Sequence, residues 1–322
     1  MSEVDNNVNI NDFGDEIDIR EIFSILIQGK KIIIYITGLL SIIGIIYSLL
    51  LPNIYESKAL LAPVEEDSSL TGALSNYSGL AALAGISLPS GTKDSNSIKA
   101  IEMMGSLSFF ENSVLPKIFL PDLMAIDYWD HKTNSLIYDD GIFDSSSNSW
   151  VRDYSYPKKL IPSAQESFEA FEEEHFKISE NKTSGFITLS VKHQSPFIAK
   201  KWVETIVEEI NTFYRQKDKS DSEKTVAYLN EQMLKTNLSE VKEVTAELLQ
   251  KEIQKLALIE VNEDYVFEYI YPAIAMEKKS EPLRLVIVII FTLLGAILSI
   301  SIVLLKHYFF TEQNNEAERI TS

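Results

Sequence analysis

The sequence predicts an α+β fold: two transmembrane helices flanking an exported α/β base domain that carries a long helical extension. Three observations predict it. Ile32–Leu51 (IIIYITGLLSIIGIIYSLLL) and Leu285–Leu305 (LVIVIIFTLLGAILSISIVLL) are uncharged, one near each end. Strand-like runs follow the first and precede the second. Between them, Phe197 to about Ala257 contains neither Pro nor Gly.

The elements follow in order. Residues 1–31 are acidic, with Glu3, Asp5, Asp12, Asp15, Glu16, Asp18 and Glu21, unlike the basic start of a cleaved signal peptide. Residues 32–51 and 285–305 are each long enough, at ~1.5 Å per residue, to cross a ~30 Å hydrocarbon layer as a helix. Arg20, Lys30 and Lys31 precede the first span and only Lys58 follows it closely. The positive-inside tendency then expects a cytoplasmic 1–31, an exported 52–284 and a cytoplasmic tail at 306–322. In a Gram-negative envelope the exported domain is periplasmic, anchored at the inner membrane.

Ile54–Val64 reads as a strand. Ser68–Thr92 holds no charge and reads as a loop with a short apolar helix around Leu80–Leu83. Ile98, Ile101, Met104, Leu107 and Phe110 have helical spacing, while 116–165 is rich in Asp, Ser, Tyr and Pro and reads as loops with short elements. Gly185–Lys192 alternates as a strand, with Ile187, Leu189 and Val191 on one face. Pro196 suits the first turn of the following helix. Leu234, Leu238, Val241, Val244 and Leu248 then form an apolar stripe. Roughly 60 helical residues would reach ~90 Å, more than one small domain buries, so the stripe is expected to pack between subunits, with two ordinary helices in a hairpin as the alternative. The polar patch Gln216–Lys224 is where such a helix would bend or break. Asp264–Tyr271 reads as the returning strand, and Pro272 and Pro282 bracket a membrane-proximal arm. Pairing the first and last strands would close the domain at its base.

Within the spans, Thr37, Ser41, Gly44 and Ser48 lie on one face of the first, and Gly295 and Ser299 on one face of the second. Small residues let membrane helices approach closely, so these faces are expected to meet each other or a membrane partner.

Composition excludes much. The chain has no Cys, hence no disulfides and no thiolate chemistry. Its formal net charge is −18, and residues 52–284 hold 24 of the 29 Lys and Arg and 37 of the 47 Asp and Glu. Such a surface disfavours nucleic acid and anionic lipid and suits a glycan or protein partner, with simple solubility as the alternative reading. His131, His175, His193 and His307 lack metal-ligand spacing, and no Walker A or G-x-S-x-G motif occurs. No enzyme activity, metal or cofactor is expected.

Asp15–Arg20 (DEIDIR), Leu51–Glu56 (LPNIYE), Ser78–Gly85 (SGLAALAG), Val191–Pro196 (VKHQSP), Lys255–Tyr265 (KLALIEVNEDY) and Tyr271–Pro282 (YPAIAMEKKSEP) occur in that order around the two spans. In these features the chain resembles the Wzz chain length determinants, class 1 polysaccharide co-polymerases of lipopolysaccharide O-antigen assembly. Residues 116–165 match only loosely, and Met276 stands where the family often has a further proline. The resemblance implies a non-catalytic scaffold that forms ring-shaped homo-oligomers. It also implies a Wzy-type polymerase and an undecaprenyl-linked polysaccharide as partners, with control of modal O-antigen length as the function. A regulator of another polymer, such as enterobacterial common antigen or capsule, fits nearly as well. A two-span periplasmic sensor would need a cytoplasmic output module, for which the segments outside the spans leave little room.

Overall fold

The computed structural model describes residues 19–64, 95–262 and 264–321. Helices α1 (Ile19–Gln28) and α2 (Lys30–Leu50) lead into strand β1 (Tyr55–Pro63). Helix α3 (Ser95–Met104) and α4 (Leu107–Phe109) follow, the latter running on through a π turn and a 3-10 turn to Lys117. Next come α5 (Leu120–Met124), the hairpin β2 (Ile126–Asp130) and β3 (Ser135–Tyr138), the short pair β4 (Phe143–Asp144) and β5 (Ser149–Trp150), and α6 (Ala164–Ala170). Then come β6 (Phe176–Glu180), β7 (Ile187–His193), α7 (Pro196–Lys235), α8 (Ser239–Val261), β8 (Phe267–Tyr271) and α9 (Arg284–Thr321). The apolar helix expected around Leu80–Leu83 lies outside the described residues.

The chain divides into two units, residues 53–280 and the paired ends 1–52 and 281–322. In the larger unit an antiparallel sheet has the order β6-β7-β1-β8. Its first and last strands are neighbours, with Leu61 opposite Tyr269 and Pro63 opposite Phe267. Sequence alternation shows why one face is buried. Ala59 and Leu61 of β1, Ile187, Leu189 and Val191 of β7, and Phe267 of β8 face the core. There they meet Trp202, Val203, Ile206, Val207 and Ile210, which recur on one face of α7. Phe109, Phe110 and Phe171 fill the rest of the core.

The segment between α3 and α7 is more ordered than its composition implies. Gly105–Ser106 ends α3, and the Ser106 hydroxyl accepts the Phe109 N–H at 3.2 Å to start the next turn. Arg152 makes two hydrogen bonds to Glu166 at 2.6 and 2.8 Å and also donates to the carbonyls of Lys159 and Leu160.

One expectation needs correction. The stretch 197–257 is not a single helix but a hairpin of α7 and α8. It breaks at Thr236–Leu238 and not at Gln216–Lys224. Thr236 is extended, and its hydroxyl accepts the Leu238 N–H at 3.4 Å, a local bond that competes with helical pairing. The polar patch stays helical because its charges find partners across the hairpin. Lys219 pairs with Glu260, and the Tyr265 hydroxyl donates to Asp218 at 2.7 Å.

In the smaller unit, α2 and the first part of α9 (284–309) are long and apolar enough to cross a membrane. Together they flank the larger unit as in a two-pass membrane protein.

Candidate functional site

Among the described residues, the features that can act are faces. The first is the seam between α2 and α9, where the structure brings the sequence-predicted small residues together. Ser41 shares a hydrogen bond with Thr292 at 2.8 Å, and Thr37 meets Ser299 at 3.4 Å. Ser48 and Ser299 are buried. A Cβ on Gly44 would stand 2.7 Å from Cβ of Phe291, and one on Gly295 would stand 3.1 Å from Cα of Thr37. Gly29 was not singled out in the sequence, yet a Cβ there would fall 2.4 Å from Val303. Its signal was masked by the flanking Lys30 and Lys31, which made it look like part of the span's polar edge. The Thr37 carbonyl lies within reach of the Ser41 hydroxyl and the Val288 carbonyl within reach of that of Thr292, so whichever hydroxyl donates across the seam, the other can donate within its own helix.

The second face is the stripe on the helical hairpin, which divides. Val241 and Val244 are half-buried and Leu248 is buried, along with Leu229 of α7. Leu234 and Leu238 stand at the tip, 87% and 67% exposed. The inner part of the stripe therefore holds the hairpin shut, and only its outer end is available to another molecule.

The third is the arm after β8. Pro272 ends the strand and Pro282 precedes α9. Between them the chain runs back along β1. The Ser57 hydroxyl donates to the Ile274 carbonyl at 2.8 Å, the Ser280 N–H donates to the Ile54 carbonyl at 2.8 Å, and Lys279 donates to Asn53 at 3.1 Å. Asn211 of α7 fixes the start of β8. Its amide donates to the Phe267 carbonyl and accepts both the Val266 and Phe267 N–H groups at 2.8–2.9 Å.

The sequence reading missed a buried polar cluster, because its members come from three separate segments. His193 is fully buried. It accepts the Ser195 N–H at Nδ1 (2.9 Å), which leaves Nε2–H to donate to the Asp122 carbonyl at 3.0 Å. Burial pushes its pKa down to about 4. His175 donates from Nδ1 to the Lys192 carbonyl at 2.6 Å, and burial lowers its pKa too. Both rings pack on Trp202, with centroids 5.6 and 5.0 Å away. Nearby, burial raises the Asp122 carboxyl above its ordinary range, although the Tyr138 hydroxyl donates to it at 2.6 Å. Among the described residues no three His, Asp or Glu side chains are placed to share a metal ion.

Residues 15–113 match the family model described as "Chain length determinant protein". This stretch is similar to the Wzz family. It runs from the approach to α2 through β1 to the π turn after α4, so it takes in the first span, its exit strand and the Ser78–Gly85 segment. Asp15–Asp18 and Ser78–Gly85 lie outside the described residues. Among solved structures, a "full-length bacterial polysaccharide co-polymerase" aligns over 91% of this chain and 99% of its own, at 12% identity and a TM-score of 0.41. A fragment of WzzB, a polysaccharide co-polymerase from Salmonella Typhimurium, aligns over 71% of this chain and 100% of its own, at 15% identity and a TM-score of 0.29. No curated protein matches the chain.

Proposed function

We propose that the chain is a non-catalytic regulator of polysaccharide chain length, a co-polymerase that sets the modal length of lipopolysaccharide O-antigen made by a Wzy-type polymerase. The observation that carries this reading is the Wzz match across the first span and its exit strand. The family is regulatory, and the chain offers what a scaffold needs: two anchors, a sheet that pairs the chain's first strand with its last, and a projecting helical hairpin. In this reading both termini are cytoplasmic and residues 52–284 face the periplasm. Copies assemble into a ring, and the α2–α9 pair presents its outer faces to lipid and polymerase. The growing glycan on its undecaprenyl carrier is the object acted upon.

A second reading, regulation of enterobacterial common antigen or capsule, rests on the same match, since the family's description specifies chain length and no particular polymer. Deleting the gene and resolving each surface glycan by length separates the two. Loss of the modal cluster in O-antigen alone supports the first reading; loss in another polymer alone replaces it.

A further inference from the structure

We propose that the β2–β3 hairpin is a membrane-interface anchor that lays Tyr128 and Ile137 into the lipid headgroup layer. The proposal rests on the two-pass reading of α2 and α9. Strand alternation gives the hairpin two faces. On the inner one, Trp129 packs edge-on against Tyr55 at 5.5 Å and lies 6.4 Å from Phe197, and its indole N–H donates to Asn134 at the turn. On the outer one, Tyr128 and Ile137 are direct cross-strand partners, and both are exposed, at 51% and 38%. Phe197, beside Trp129, is itself 53% exposed. An apolar cross-strand pair on the outside of a small hairpin gains nothing from water.

The position within the domain points to the occupant. Tyr55, which Trp129 grips, comes five residues after the end of α2, so its Cα lies at most about 18 Å from that of Leu50. The outgoing chain is pinned at the same place, by the Ser280–Ile54 and Lys279–Asn53 hydrogen bonds. Both covalent links to the spanning helices therefore leave the domain beside this hairpin. The Gln194 amide, just before α7, ties the hairpin to the same end by donating to the Asp127 carbonyl at 3.3 Å. Tyr and Trp rings with an apolar body and a polar edge favour the membrane–water boundary. The charges nearby are mixed: Asp127, Asp130, Lys132 and Lys279 all lie on this end, and the Asp130 carboxylate is turned onto the Lys132 N–H and the Thr133 hydroxyl. That balance suits zwitterionic headgroups.

The absence of Cys allows a clean test in the full chain. Ile137→Cys and, separately, Tyr128→Cys are spin-labelled, and the protein is reconstituted in phosphatidylcholine vesicles. Collision with oxygen and with a water-soluble nickel chelate is then measured by power-saturation EPR. Leu39→Cys on the outer side of α2 is the lipid reference. Leu234→Cys is the water reference, 38 residues along α7 from Pro196 and so ~57 Å from the base. The expected result is a several-fold loss of nickel collisions at 137 and 128 relative to 234, with the ratio to oxygen between the two references. Nickel access equal to that at 234 overturns the proposal, and so does occlusion from both relaxants, which would mean a protein partner. A Leu39 label outside lipid would overturn the two-pass reading itself; a lipid-embedded Leu39 with a water-exposed Ile137 overturns only the anchor.

Discussion

His193 shows how much one side chain can set in this domain. It joins the end of β7, the turn before α7 and the carbonyl of Asp122, and it does so as a neutral ring. Its folded pKa, near 4, lies below the ordinary 6.5. The unfolded chain therefore binds a proton that the folded one refuses. The stability this contributes is present above about pH 6.5 and is lost as pH falls toward 4, up to about 3 kcal/mol over that window. The lowered His175 acts in the same direction. Asp122, raised by burial, opposes them only at the acid end, because a carboxyl that protonates more readily when folded gains stability on acidification. Urea unfolding of the full chain, followed by Trp fluorescence, should show the midpoint falling between pH 6.5 and 4.5, and the fall should shrink in His193→Gln. At Asn211, replacement by Leu strands two N–H groups and one carbonyl inside the core. It should cost about 2–4 kcal/mol, read as a lower urea midpoint at pH 7.5. The role of neither residue was legible in the sequence. Isolated His and Asn residues carry no periodic signal, and their partners lie up to 71 positions away.

At the scale of elements, legibility follows period and length. The spans, β1 and β7 could be read because uncharged length and strict alternation leave few alternatives. The π and 3-10 turns of 110–117 and the two small hairpins of 126–150 could not, since they depend on tertiary packing and single polar bonds. The hairpin break was missed because Thr236 and Asn237 are only weak helix breakers, whereas the polar patch before them looked stronger. The division of the stripe changes what mutations there should do. Val241→Asp places a charge at the α7–α8 contact and should loosen the hairpin itself, seen as faster proteolysis between 230 and 245. Leu234→Asp alters an exposed tip residue and should leave the hairpin intact. If the tip joins subunits, crosslinking of the full chain in membranes will yield smaller assemblies for Leu234→Asp at unchanged protease resistance. The α2–α9 seam supplies a third test. Gly295→Leu drives a side chain at the Thr37 backbone, which cannot yield, and should splay the pair. The modal glycan length should then shift at normal protein level, while Gly38→Leu, with no neighbour within 4 Å, should leave it unchanged.

For the whole molecule, the parts make sense together as a device held at a membrane by both ends. In the sheet β1 pairs with β8, the strands next to the two membrane links, so the base is fastened where the chain enters and leaves. The hairpin projects from α7, whose first half packs on that sheet. This layout suits the proposed role of holding other components at a fixed place. The measurement that tests this account most directly is the length distribution of the surface polysaccharide in a strain lacking the gene, complemented with the full chain at controlled levels. The account predicts that complementation restores a discrete modal cluster whose position is the same at all working levels. A smooth, mode-free distribution despite normal amounts of the protein in the membrane would contradict it.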